Sequence, residues 1–215
     1  MQLFLVRHGE TDWNAERRVQ GQSESNLNAN GRQQAEQLRS WIESTGFTAI
    51  YSSSSVRTVQ TAEILTANLG LPINKKDNLR EIHLGPWEQL LWSDIEQSCS
   101  QEFTNFRDYP HLFNLEGAET FSDLRDRGIA GLKEIHQQQK LAGADQDDRV
   151  LVVSHGALIA AVLAGLASVC LSRLREQPSL DNCSVSEVTV DAKDQLRVVS
   201  IAGMPLHESP WFEES

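Results

Sequence analysis

The sequence predicts an α/β fold: a three-layer, doubly wound, mostly parallel sheet with helices on both faces and an irregular cap insertion. Three observations predict it. Two short, nearly continuous apolar runs, Leu3-Phe4-Leu5-Val6 and Val150-Leu151-Val152-Val153, have the pattern of central parallel strands covered on both faces. Apolar residues at helical spacing occupy the stretches between strand-like runs. Residues 82–116 are long, aromatic-rich and break that alternation, as an insertion over one sheet edge would.

In chain order, the expected strands are Gln2–Val6, Thr48–Ser52, Ile73–Lys75, Val150–Ser154, Val185–Val190 and Gln195–Ile201. Between the first two, Ala35, Leu38 and Ile42 share a helical face after Asn28, a residue suited to cap a helix N-terminus. Ala62, Leu65 and Leu69 form the next stripe, stopped by Gly70 and Pro72. Phe121, Leu124, Leu132 and Ile135 form a third, after Thr120 with Asp123 three residues on, a variant of the capping box. Ala157–Leu171 is apolar but too short to span a bilayer, and reads as a buried core helix. The turn-like Asp191–Asp194 makes the last two strands a hairpin at the sheet edge. The tail Glu208–Ser215 is polar and acidic apart from Trp211 and Phe212, and is expected to be loosely ordered.

At 215 residues, with 40% hydrophobic and 23% charged residues, one globular domain covering 1–215 is expected. The net charge of −11 argues against nucleic-acid partners and anionic membrane surfaces. Three widely spaced cysteines, Cys99, Cys170 and Cys183, and a chain that opens directly on a strand fit a reducing, cytoplasmic setting.

In open α/β sheets the ligand crevice lies beyond the carboxyl ends of the strands. Arg7-His8 ends the first strand, Ser52 the second with Arg57 just inside the following helix, and Ser154-His155-Gly156 the fourth. Their convergence would put permanent cations beside a titratable nucleophile, an arrangement suited to phosphate. A neutral imidazole attacks phosphorus if one ring nitrogen is free and the other donates to a carbonyl. Two arginines and a second, protonated histidine would stabilise the equatorial oxygens. The leaving alkoxide needs a proton, for which Glu81 is the best candidate, with Glu10 and Glu88 competing. No i, i+4 histidine pair or cysteine cluster points to a metal. No Walker-type loop or cysteine-phosphatase loop is present either, and His83, His111, His136 and His207 read as ordinary polar residues.

These residues resemble the histidine phosphatase superfamily, the phosphoglycerate mutase-like family. The matching pieces are Leu5-Val6-Arg7-His8-Gly9-Glu10-Thr11, Trp13-Asn14, Gln20-Gly21, Gly31 with Gln34-Ala35, Ser52–Arg57 with Thr61-Ala62-Glu63, Leu79-Arg80-Glu81 and Val152-Val153-Ser154-His155-Gly156. The resemblance implies that His8 is phosphorylated, that Arg7, Arg57 and His155 complete the phosphate pocket, and that Glu81 donates the proton. It further implies that Asn14, Gln20, Gly21, Gly156 and Ala157 line the site, with no metal or organic cofactor. One departure stands out. Ser23-Glu24-Ser25-Asn26-Leu27-Asn28 lacks the family's usual proline, which leaves the loop less constrained and the contacts of Ser23 open, although Asn28 keeps a helix cap.

Water attacking the phosphohistidine makes a phosphatase, whereas a second substrate hydroxyl attacking with water excluded makes a mutase. Residues 82–116 hold one arginine and six acids, a formal charge of −5, which favours the phosphatase. The expected partner is a small-molecule phosphomonoester. The cap aromatics Trp87, Trp92, Phe103, Phe106, Tyr109 and Phe113 are expected to form a small satellite core. The sharper alternative has some of them lining the entrance and selecting an apolar or aromatic body, as in α-ribazole phosphate. A non-catalytic phospholigand-binding module is the reading from another class, and a proton donor argues against it. A protein-phosphohistidine phosphatase ranks lower, since the insertion would obstruct a large partner. A homodimer is one admissible oligomeric state.

Overall fold

The computed structural model describes residues 1–212. Seven strands form one sheet: β1 (Gln2–Arg7), β2 (Ala49–Ser53), β3 (Ile73–Lys76), β4 (Arg149–Ser154), β5 (Val185–Val190), β6 (Leu196–Ile201) and β7 (Met204–Pro205). Their order is β3-β2-β4-β1-β5-β6-β7. The first four in that order run parallel, and β5, β6 and β7 are added antiparallel. All six expected strands are present within one residue at either end, and β7 extends the hairpin edge.

The helices are α1 (Asp12–Ala15), α2 (Ala29–Thr45), α3 (Val56–Leu65), α4 (Trp92–Ser98), α5 (Ser100–Asp108), α6 (Phe121–Leu141) and α7 (Gly156–Leu166). The period-2 alternation of the central strands divides the apolar residues into two cores. Phe4, Val6, Ile50, Leu151 and Val153 meet Ala35 and Ile42 of α2 and Ala62 and Leu65 of α3. Leu3, Leu5, Tyr51, Val150 and Val152 meet Leu124, Leu132 and Ile135 of α6 and the whole buried body of α7. Asn28 caps α2 by accepting from Gly31 N at 2.8 Å, and Thr120 caps α6 by accepting from Asp123 N at 3.2 Å.

Five expectations need correction. The helix expected over 157–171 stops at Leu166, where Val169 N bonds Ala164 O and Ser168 N bonds Gly165 O around a left-handed Ser168 (φ 59°). That is a Schellman stop, here with serine in place of glycine. Leu69 lies beyond α3, in a turn closed by Leu69 N to Thr66 O. The 82–116 insertion is largely helical, since α4 and α5 lie within it. Its aromatics are no satellite: Trp87, Phe103 and Phe113 are buried in the same core as α6 and α7. The tail is anchored, with Trp211 4% exposed and its indole N–H donating to Arg173 O at 2.9 Å. Residues 213–215 of that expected tail lie outside the described residues.

The turn after β1 is packed backbone-to-backbone on α2. A Cβ on Gly31 would lie 2.0 Å from Glu10 O and 2.5 Å from Glu10 N, and one on Gly9 would lie 2.5 Å from Gly31 O. No side chain could yield there. Gly31→Ala is therefore expected to lose about 1–3 kcal/mol in urea unfolding, although alanine is the better helix former. Unchanged or raised stability would show that the contact relaxes freely.

Candidate active site

Because β4 lies between β1 and β2, the carboxyl ends of all three strands are neighbours. Arg7 pairs with Ser154 in the ladder, and His8 N donates to Ser154 O at 3.0 Å, one residue past β1. Three turns thus deliver His8, Arg57 and His155 to one place.

The His8 ring is buried, with Nδ1 2.7 Å from Gly9 O. A carbonyl only accepts, so Nδ1 carries the proton and Nε2 keeps the lone pair, the tautomer needed of a nucleophile. Burial pushes this imidazole well below the ordinary histidine value, and Arg57 and Arg7 push it the same way. The His155 ring sits edge-on to it at 5.3 Å between centroids, with Nε2 2.9 Å from Ser53 Oγ. Burial, followed by Arg57, holds His155 neutral as well. This corrects the expectation of a protonated second histidine: at the N-terminus of α7, among cations, the uncharged ring is favoured until an anion binds.

Arg57 is 1% exposed and donates to Ser23 O at 2.9 Å and Gly21 O at 2.7 Å. Burial lowers it to about 10, with Glu81, Glu24 and Glu88 opposing, so it remains a cation at neutral pH. Arg7 donates to Leu180 O at 2.6 Å. The Nε of each arginine and Nδ1 of His155 are buried without a protein partner. The two guanidinium N–H groups are buried donors left over for an anion, which guanidiniums bind well.

The carboxylate of Glu81 lies on the N-terminus of α7. Its Oε1 accepts from Leu158 N and Ile82 N at 3.1 and 2.9 Å, and its Oε2 from Ala157 N at 3.1 Å. The competing carboxylates are committed elsewhere. Glu10 accepts from the Asn28 amide at 2.8 Å. Glu88 accepts from Gln22 N, Ser23 Oγ, Leu84 N and the His83 ring. Burial would raise Glu88, but those bonds together hold it below the usual carboxylate range. They also answer the question of Ser23: in place of a proline, Glu88 and Arg57 hold the loop. Gly21 (φ 52°) faces Glu88 so closely that a Cβ would lie 2.3 Å from its carboxylate.

A cavity of about 200 Å³ contains Arg7, His8, Asn14, Gln20, Gly21, Arg57, Glu81 and Ala157 in its lining. His155 lies beneath it, fully buried, and Gly156 lines an adjoining cleft shared with Arg7, Glu81 and Ala157. Asn14 and Gln20 turn their amide oxygens to Thr11 Oγ1, at 3.1 Å in both cases. Sequence reasoning missed four contributors: Ser53, Arg18, Ile82 and Leu84. The serine run Ser52–Ser55 was a signal for the first, while the others become neighbours only because the cap folds over the loop. Of the cap aromatics, Trp92 and Phe106 line the cavity, stacked at 5.1 Å, and Tyr109 lies on the exposed outer surface. None of the six cap acids lines it.

Residues 3–202 match the model of the histidine phosphatase superfamily (branch 1). The chain is 35% identical, over its full length and 98% of the relative, to the Salmonella paratyphi A protein named probable phosphoglycerate mutase GpmB. Bacillus stearothermophilus YhfR superposes with a TM-score of 0.87 at 34% identity, covering 94% of this chain and 96% of that one. A mycobacterial glucosyl-3-phosphoglycerate phosphatase, solved with VO3, superposes at 0.82 with 27% identity, covering 93% and 97%.

The two neutral imidazoles couple stability to pH. Unfolded histidines bind protons near pH 6.5 that the folded rings refuse, so stability is full above that pH and is lost as pH falls below it. Each ring is expected to contribute a slope of up to about 1.4 kcal/mol per pH unit between pH 6.5 and 5. In urea unfolding across that range, His155→Gln should have the shallower slope; an identical slope would refute the neutral assignment.

Proposed function

Because the chain belongs to the histidine phosphatase superfamily, we propose that it is a phosphomonoester hydrolase acting through a phosphohistidine on His8, on a small-molecule monophosphate. The observation that carries this reading is the His8 ring, whose Nδ1 is tied to Gly9 O beside Arg7, Arg57 and His155, with a carboxylate on the same cavity. The Nε2 lone pair attacks phosphorus as the P–O ester bond breaks. The arginines receive the charge on the equatorial oxygens. Glu81 passes a proton to the leaving alkoxide, and Oε2, with one hydrogen bond against two on Oε1, is the oxygen free to carry it. Water then attacks the phosphohistidine with the Glu81 carboxylate as base, which releases orthophosphate and returns the proton to Glu81.

A mutase is the second reading, favoured by the name of the 35% identical relative. Against it, the cap contributes to the cavity only Ile82, Leu84, Trp92 and Phe106, none of them charged. The formal charge of −5 therefore bears on the question less directly than expected: no cap acid lines the cavity, Glu88 is spent on bracing the loop at Gly21–Ser23, and what the cap lacks is a cation for a second anionic group. The apolar wall supports a substrate with an apolar or aromatic body. No described helix is long and apolar enough to cross a membrane, and we place the activity in the cytoplasm.

The test is a phosphate-release panel on purified protein, with 3-phosphoglycerate isomerisation assayed in parallel. Hydrolysis without isomerisation, and a preference for aromatic monoesters over small bisphosphates, are expected. Acid-quenched protein should carry labelled phosphate that His8→Ala loses. Isomerisation outpacing hydrolysis would make the mutase the correct reading.

A further inference from the structure

The proton donor stands on irregular chain. Glu81 follows a single 3-10 turn over Asp77–Leu79, and the four residues from Glu81 to Leu84 belong to no helix or strand. What holds this segment is side chains, chiefly one arginine. Arg127 of α6 donates through Nη1 to Asn78 O at 3.0 Å and Arg80 O at 2.9 Å, and through Nη2 to Glu81 O at 3.2 Å. Its Nε and Nη2 also form a two-pronged pair with the Glu119 carboxylate, each at 2.8 Å. Glu119 in turn accepts from His83 N at 3.2 Å and donates its own N–H to His83 O at 2.8 Å. The pair therefore grips the chain on both sides of Glu81.

Its footing is rigid. On α6, a Cβ at Gly131 would lie 3.0 Å from the Asn78 side chain, and one at Gly128 would lie 2.4 Å from Val162 of α7. The close approach at Gly128 packs α6 against α7, the helix whose first N–H groups hold the Glu81 carboxylate. The backbone of the acid is thus held by α6 and its carboxylate by α7. An ammonium at position 127 could not serve three carbonyls and a carboxylate at once, whereas a planar fork of five donors can.

We propose that Arg127 and Glu119 are a positioning pair for the proton donor, holding Glu81 at the bridging ester oxygen during P–O cleavage. The inference rests on the acid role given to Glu81 above. The pair does not touch the phosphate: neither residue lines the reaction cavity. Its loss is therefore expected to impair protonation of the leaving group while phosphate capture persists. General acid help is needed for an alkoxide and is nearly superfluous for p-nitrophenolate, which leaves without a proton.

The experiment compares p-nitrophenyl phosphate with an alkyl monoester, glycerol 2-phosphate, on the full chain and on Arg127→Lys, Glu119→Gln, the double variant and Glu81→Gln. We expect each single variant to lower kcat/KM, which reports phosphoryl transfer to His8 and not the later hydrolysis common to both esters, about tenfold more on the alkyl ester than on the aryl ester, a fraction of the roughly 10²–10⁴-fold worth of a general acid. Inhibition by orthovanadate should change less than twofold, and the double variant should be no worse than the more severe single, as for two residues acting as one unit. Equal losses of kcat/KM on both esters in Arg127→Lys and Glu119→Gln would overturn the inference, as would parallel loss of vanadate affinity, since either marks a general structural role. Glu119→Gln keeps a neutral acceptor, so it remains informative should Arg127→Lys fold poorly. If Glu81→Gln itself leaves the alkyl-to-aryl ratio unmoved, the acid role of Glu81 fails and this inference falls with it; a ratio that moves for Glu81→Gln alone rejects only the positioning pair.

Discussion

Removing a guanidinium from water costs several kcal/mol unless its donors are paired, and this protein crowds two of them against two imidazoles at one sheet edge. Much of the surrounding architecture answers that cost. Backbone carbonyls of Gly21, Ser23 and Leu180 take guanidinium N–H groups, and Glu81, Glu24 and Glu88 supply opposite charge around Arg57. The imidazoles answer it by staying neutral. The same crowding makes the pocket receptive to an anion, which would relieve the repulsion among cations and engage the buried guanidinium N–H groups that no protein group satisfies.

The supporting shell follows from that need. A loop whose carbonyls must hold Arg57 cannot wander, and Glu88 anchors it from the cap through Gln22 and Ser23. Cap and cationic pocket are therefore one mechanical unit. The cap's buried aromatics extend the α6–α7 core, and Trp92 and Phe106 turn the edge of that core into a cavity wall. No cap acid lines the cavity: Glu88 is bound to the loop, and Glu96 and Asp108 pair with Arg107 at the surface. Net charge thus described the cap poorly, because the direction of each side chain decides what a substrate meets.

Legibility in the sequence followed locality. The runs Leu3–Val6 and Val150–Val153, the caps Asn28 and Thr120, and the helical stripes apart from Leu69 are each specified within a few residues of chain, and reappear in the fold. That Arg7, His8, Arg57 and His155 would meet was legible because strand ends in such a sheet are forced toward one crevice, whereas Glu81 was reached through the need for a proton and the Leu79-Arg80-Glu81 motif. The stop at Ser168 was not, since a serine in the left-handed region carries no strong local signal. Nor were the protonation state of His155, the placement of the cap acids clear of the cavity, or the reach of Arg127 to three carbonyls upstream.

The sequence by itself determined the sheet, the residues at its carboxyl edge and the chemical type of the pocket, because strand pattern, helix caps and adjacent motif residues are properties of short segments. Only the tertiary structure decided which charges are felt there. Desolvation, helix-end fields and the spacing between side chains far apart in sequence arise when distant segments meet, so the neutral imidazoles, the apolar wall and the clamp on Glu81 exist in the folded molecule alone.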